Sequence, residues 1–282
     1  MNYRHAFHAG NFADVFKHAA LVALLDALAQ KLAPLCYVDT HAGRGRYDLA
    51  ADAATRTGEH RGGIARVLAA APQAALASYL DALRACGALG RDGTLAFYPG
   101  SPLLALARLR GDDRAVLCEL QPDEYAALRV LFRDDTRVHV HLRDGYAALP
   151  ALLPPPQKRG LVLIDPPYEA QDGEFAAIQT ALRTAWLRWP QGVYAVWYPI
   201  KRRATLRPFQ RWLAASGARK VLIAELQVRG DDSPLRMNGC GLAIVNAPYR
   251  IDASLAALLT TLHPLLADGP GASQRLEWLT AD

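Results

Sequence analysis

An α/β fold built on a seven-stranded, mostly parallel sheet is predicted by three features of this 282-residue chain. Apolar runs of strand length recur along it, most are separated by stretches long enough for a helix, and several end in an acidic residue. Strand and helix in alternation imply right-handed crossovers, hence parallel neighbours. A hydrophobic content of 51% supplies one large core or two smaller ones.

From Asn11 to Lys31 apolar residues recur at helical spacing (Phe12, Val15, Phe16, Ala19, Leu24, Leu25, Leu28), and Asn11 is a ready N-cap, so an amphipathic helix opens the domain. Strands are expected over 35–39, 115–119, 138–142, 161–164, 193–198, 221–228 and 242–245. The last two are joined by a loop rich in Gly, Asp, Ser and Pro, which suits an antiparallel hairpin and gives the sheet one antiparallel strand. Asp39 and Glu119, the acidic ends of the first two strands, lie 119 − 39 = 80 residues apart, against roughly 20 for a simple unit. A small helical subdomain is therefore expected over 47–97, with helices over 64–71 and 74–86. The remainder, 1–46 and 98–282, forms the Rossmann-like domain with its N-terminal tail and helix. Tyr98-Pro99-Gly100-Ser101-Pro102 restarts a helix, with Ser101 read as its N-cap and Pro102 at its first position.

Mean hydropathy of +0.01 argues against a membrane protein. No apolar stretch approaches the roughly 18 residues that cross a bilayer, and Met1-Asn2-Tyr3-Arg4-His5 lacks a signal-peptide apolar region, so a cytoplasmic protein is expected. Cys36, Cys86, Cys118 and Cys240 show no paired close spacing, and three lie in apolar runs, which reads as buried reduced thiols. A net charge of +5 is compatible with a polyanionic partner without demanding one.

Asp165-Pro166-Pro167-Tyr168 follows directly on the apolar run Leu161-Val162-Leu163-Ile164 and carries the most chemistry. A buried parallel strand broken by two prolines leaves Asp165 and Tyr168 on the rim where open α/β sheets bind ligands. An exocyclic amine on adenine shares its lone pair with the ring and is a poor nucleophile. The Asp165 carboxylate and the Pro166 carbonyl can each accept one amine hydrogen, turning the nitrogen toward tetrahedral geometry and its lone pair toward a methyl donor. Tyr168 offers a flat face on which an extracted base can stack. This pattern points to an amino-group methyltransferase and gives the fold its more specific form, that of a Rossmann-like class I methyltransferase.

Asp39-Thr40-His41-Ala42-Gly43-Arg44-Gly45 is an acidic strand end followed by a glycine-rich turn, in which backbone amides can approach a ligand closely. It lacks the G-x-G-x-x-G dinucleotide signature, which disfavours a nicotinamide or flavin enzyme and suits S-adenosylmethionine, a cofactor without a pyrophosphate. Glu119, at the second strand end, can take both hydroxyls of a ribose, and Asp144-Gly145, at the third, can meet the adenine amine.

The chain resembles the RlmJ family of adenine-N6 methyltransferases that modify large-subunit ribosomal RNA. The residues that carry the resemblance are 3–11 (Tyr3-Arg4-His5-Ala6-Phe7-His8-Ala9-Gly10-Asn11), Asp14, Lys17-His18, Asp39-Thr40-His41-Ala42-Gly43, Arg61-Gly62-Gly63-Ile64, Tyr98-Pro99-Gly100-Ser101-Pro102, Asp165-Pro166-Pro167-Tyr168 and Trp197-Tyr198-Pro199. The resemblance implies Lys17, His18, His41, Ser101, Glu119, Asp144, Gly145 and Asp165 at the cofactor, Asp165 as catalytic proton acceptor, and Tyr3 against the RNA. Arg44 departs from the small residue common in such loops. His5, His8 and His18 have no cysteine or carboxylate at ligand spacing and are read as ordinary histidines; methyl transfer from a sulfonium calls for no metal.

Basic and aromatic residues gather at expected edges: Tyr3, Arg4, His5 and Phe7 in the tail, Arg56 and Arg61 in the insertion, and Lys201, Arg202, Arg203 and Arg207 after the fifth strand. The expected activity is S-adenosylmethionine-dependent methylation of adenine N6 in 23S rRNA, by a monomer acting on protein-free or early-assembly RNA and yielding S-adenosylhomocysteine. The choice of RNA rests chiefly on the resemblance. Adenine-N6 methylation of DNA, and a non-catalytic RNA-binding or assembly protein on a methyltransferase shell, are the competing readings.

Overall fold

Residues 5–168, 171–235 and 237–281 are described in a computed structural model. Its main sheet has eight strands: β1 (Cys36–Asp39), β2 (Arg114–Glu119), β3 (Val138–Leu142), β4 (Gly160–Ile164), β5 (Val193–Ile200), β6 (Val221–Gln227), β7 (Gly239–Val245) and β8 (Ser273–Thr280). They lie in the order β8-β6-β7-β5-β4-β1-β2-β3. Pairings from β3 to β5 are parallel, β7 runs antiparallel to both β5 and β6, and β8 runs antiparallel to β6. All seven expected strands form, including the hairpin of β6 and β7. The eighth corrects the count and makes two antiparallel strands instead of one. Its sequence, Ser-Gln-Arg-Leu-Glu-Trp-Leu-Thr, is half polar because an edge strand is wetted on more than one side, so no apolar run announces it.

One face of the sheet is covered by α1 (Phe12–Ala29), whose first turn is capped by the Asn11 side chain accepting from Asp14 N at 3.0 Å. Between β1 and β2 the chain forms a two-residue ribbon, Arg46–Tyr47 against Tyr98–Pro99, bracketing α2 (Asp52–Thr57), α3 (Ile64–Ala69) and α4 (Ala77–Ala85). Ile64, Val67, Tyr79 and Leu83 from these helices join the core of α1, α5 (Ser101–Leu106) and α10 (Ile251–Leu266). Full burial of each such large side chain contributes roughly 1.5–3 kcal/mol. Beyond β2 lies α6 (Pro122–Leu131). The opposite face is packed by α7 (Gly145–Leu152), α8 (Gln171–Arg188) and α9 (Arg207–Ala215) around Trp189, Tyr198 and Phe209.

Two local expectations change. The helix expected from residue 74 begins as a 3-10 turn, Ala74–Leu76, before α4. Ser101 is not the cap of α5: Gly100 holds the cap position, and the Ser101 hydroxyl donates to the charged Asp39 carboxylate. The four cysteines are free, three of them buried and Cys86 half-buried. Among the described residues, no helix is long and apolar enough to cross a membrane.

Candidate active site

β4 stops at Ile164 because Pro166 has no N–H with which to continue the ladder. Register sets what flanks the stop. Asp39 of β1 pairs with Leu163, Val196 of β5 pairs with Ile164, and so continuing the register sets Asp165 between His41 and Trp197 at the point where the strand order reverses. Thr40 stitches this corner, its N–H and its hydroxyl both donating to Leu163 O, at 3.1 and 3.0 Å.

Lys17, expected at the cofactor, points its ammonium at the motif itself. Nζ donates to Asp165 Oδ2 at 2.6 Å and lies 2.9 Å from Asp14 Oδ1, one turn back on α1. It also stands 5.7 Å from the centre of the Trp197 ring, within cation–π range. Asp14 Oδ2 is held by His5 Nε2 and by the Gly10 amide, both at 2.9 Å. Burial alone would raise the Asp14 carboxyl, but His5 and Lys17 beside it bring it well below the usual range. Burial would likewise depress Lys17, and the two carboxylates carry it well above its ordinary value. Among the described residues, no donor reaches Asp165 Oδ1 or the Pro166 carbonyl. The sequence reading missed the Asp14 contribution; its signal was the i,i+3 spacing of Asp14 and Lys17 on one helix face.

The glycine-rich turn is anchored from below by Asp39, which is fully buried. Oδ2 accepts from Tyr37 Oη at 2.6 Å and Ser101 Oγ at 2.7 Å, and Oδ1 accepts from His41 N at 3.2 Å. Burial raises the carboxyl to about 6, opposed by the two hydroxyl donors and assisted by nearby Asp165. Gly43, at φ +63°, cannot carry a side chain, since a Cβ there would meet the Tyr47 hydroxyl. Its amide donates to Glu119 Oε2 at 2.8 Å, and the Gln121 amide donates to Oε1 at 2.7 Å. Each oxygen keeps lone-pair capacity for a diol, and burial raises the Glu119 carboxyl.

Asp144 is exposed and caps α7 through Ala147 N at 3.0 Å. Gly145 passes so close to the turn that a Cβ would lie 2.1 Å from Thr40 O. His41 Nδ1 meets the Thr40 hydroxyl at 2.8 Å; because that hydroxyl already donates to Leu163 O, Nδ1 carries the proton and Nε2 is left as an acceptor. Burial lowers His41 to about 4. His18 is buried against Tyr98, its Nδ1 2.9 Å from the phenol, which meets Tyr79 at 3.1 Å. Burial and then Lys17 lower His18 to about 3, so it is neutral.

Arg44, the unusual residue of the turn, forms a two-pronged ion pair with Glu124 of α6 (Nε–Oε2 2.8 Å, Nη2–Oε1 2.7 Å). Tyr168 donates to Trp197 O at 2.6 Å and meets the Trp197 and Phe175 rings edge-on. Lys201 and Arg202 are exposed just past β5. Arg203 is half-buried instead: its amide donates to Asp231 and its guanidinium to Ser273 of β8. Tyr3 and Arg4 lie outside the described residues. The histidines do not converge; His5 meets Asp14, His8 meets Glu59, and His18 meets Tyr98.

A doubly wound sheet with an antiparallel β7 set between β5 and β6, and an Asp-Pro-Pro-Tyr turn at its reversal point, defines a class I methyltransferase fold. A family profile described as "Ribosomal RNA large subunit methyltransferase D, RlmJ" matches residues 32–280. "Ribosomal RNA large subunit methyltransferase J" of Escherichia coli (strain K12) is 38% identical over 283 residues, covering 100% of both chains. The protein of the same name from Haemophilus influenzae is 38% identical over 284 residues, again covering 100% of both. Among solved structures, protein LPL1258 from Legionella pneumophila superposes with a TM-score of 0.84 at 38% identity, over 96% of this chain and 98% of that one. The chain belongs to the RlmJ family of ribosomal RNA large subunit methyltransferases.

Proposed function

We propose that this protein transfers a methyl group from S-adenosylmethionine to the N6 amine of an adenine in 23S rRNA. The names of its full-length relatives support ribosomal RNA as the substrate. The adenine amine is supported by one observation above all: Lys17 occupies Asp165 Oδ2 and leaves Oδ1 and the carbonyl of the next residue, Pro166, without a donor among the described residues. Two acceptors suit an NH2 group, which has two hydrogens to give.

The residues of the turn fit the cofactor. Glu119 would take the ribose hydroxyls, Asp144 the adenine amine, and the His41 and Ser101 neighbourhood the amino-acid end. S-adenosylmethionine supplies an electrophilic methyl with its own leaving group. The protein's part is alignment: Asp165 and Pro166 orient the amine, Tyr168 receives the base, and Asp165 takes a proton once the nitrogen becomes positively charged. The reading extends to a cytoplasmic monomer acting on protein-free or early-assembly RNA, with Tyr3, Arg4, Lys201 and Arg202 at the RNA and residues 47–97 as an inserted helical subdomain.

The test is incorporation of labelled methyl into a 23S rRNA transcript and into duplex DNA, followed by nucleoside mass analysis. N6-methyladenosine in the RNA alone, lost in Asp165→Asn, is the expected result. Label in DNA alone, or on another base, overturns the reading.

A further inference from the structure

Lys201, Arg202, Arg207 and Arg211 are exposed, and none forms an ion pair with a described residue. Other arginines are held in ion pairs: Arg44, Arg108, Arg110, Arg137, Arg229 and Arg275 each meet a carboxylate. Two of the four, Arg207 and Arg211, are also placed against local electrostatics. α9 starts at Arg207 with no acid in its first turn, so cations crowd the positive end of its dipole. Arg207 and Arg211, four apart on the outward face, repel each other as well. An arrangement unfavourable in the free protein becomes favourable when an anionic chain lies along it.

The stripe begins beside the catalytic rim. β5 runs four residues, Trp197 to Ile200, past the end of β4, and Lys201 and Arg202 follow at once. From Tyr168, two ring contacts of 5.7 and 4.8 Å pass through Phe175 to Phe209, the buried residue of α9 that sits between Arg207 and Arg211. The two arginines rise about 6 Å along the helix axis, a step comparable with neighbouring charges along a nucleic-acid backbone.

We propose that Lys201, Arg202, Arg207 and Arg211 form a track for the RNA backbone, holding phosphates that flank the extruded adenine. The track rests on the RNA-methyltransferase reading above. It adds a contact surface on α9, and it replaces Arg203, whose half-buried guanidinium is turned to Ser273, with Arg207 and Arg211.

The experiment measures binding of a 23S rRNA transcript to the full chain from about 50 to 200 mM salt, with methyl transfer as a parallel readout. Arg207→Gln/Arg211→Gln is compared with Arg129→Gln/Arg133→Gln, which removes two exposed arginines at the same sequence spacing, one in α6 and one in the turn that follows it. The first is expected to weaken binding severalfold and to reduce the slope of log affinity against log salt by about 1.4 to 1.8, the second to leave both unchanged. If wild-type protein methylates the RNA while both variants keep its slope, or lose it equally, the track is wrong and the function stands. Wild-type protein that neither binds nor methylates RNA overturns both.

Discussion

Lys17 reaches across 148 positions of sequence to donate to Asp165 at 2.6 Å, so the first helix sets the orientation of the carboxylate that ends the fourth strand. With one oxygen fixed, the other is left as a defined acceptor for the amine of the proposed reaction, the kind of preorganisation that costs no rearrangement at the moment of reaction. The same ammonium neutralises Asp14, so a single cation serves two carboxylates.

Replacing Lys17 by Met is expected to lower kcat about 10²-fold with little change in RNA affinity, since the acceptor loses its fixed geometry. The protein should also lose about 1–3 kcal/mol of stability, because the buried Asp14 keeps only His5 and the Gly10 amide as partners. Asp14→Asn/Lys17→Met should regain part of that stability and none of the turnover. Steady-state kinetics and urea unfolding of the three proteins check this; recovery of turnover in the double variant would refute the orienting role.

Asp39 supplies a pH dependence. Its folded value of about 6 lies above the ordinary 3.8, so folding favours its protonated form. Its contribution to stability therefore rises as pH falls from about 6 toward 4, and is constant above 6. Binding of the proposed cofactor is expected to move the opposite way, because the ionised carboxyl holds Ser101 and the His41 amide. The KM for S-adenosylmethionine is expected to climb as pH drops through about 6, and Asp39→Asn to lose that inflection. An unchanged inflection in Asp39→Asn would assign it to another group.

Arg44 and Glu124 pin the turn to α6. Both are partly exposed, so the pair is worth little in stability, and its effect should fall on the position of the loop. Arg44→Glu is expected to raise the cofactor KM about threefold, and Arg44→Glu/Glu124→Arg to restore it, with the difference shrinking in high salt. A swap that restores nothing would mean the pair does not position the turn.

Gly145→Ala tests the close approach of α7 to the turn. The added methyl would meet the Thr40 carbonyl at 2.1 Å, and backbone cannot yield as a side chain can. A loss of about 2–3 kcal/mol in denaturant unfolding is expected, with weaker cofactor binding. Unaltered stability would show that the turn can move.

The parts of this architecture that repeat or punctuate were legible in the sequence. Apolar runs marked seven strands, the prolines after Ile164 marked the rim, and the 80-residue gap from Asp39 to Glu119 marked the helices between them. What pairing decides was not. Ser101 has the composition of a cap, and only the approach of Asp39 in space redirects its hydroxyl. Lys17 reads as a helix cation until Asp165 is placed beside it. Arg203 looks like its exposed neighbours in sequence and is distinguished by β8, a strand whose half-polar composition gave no signal of its own.

That last strand has a practical consequence. β6 is buried along its whole length, Val-Leu-Ile-Ala-Glu-Leu-Gln, and β8 is what covers its outer edge. A chain shortened before Ser273 would bare a row of unsatisfied amides and carbonyls on an apolar ribbon, and would also strip Arg275 from buried Glu225. Such a product would self-associate into precipitate during purification, whatever the health of its catalytic centre, and trimming the carboxyl end is the wrong way to obtain better crystals.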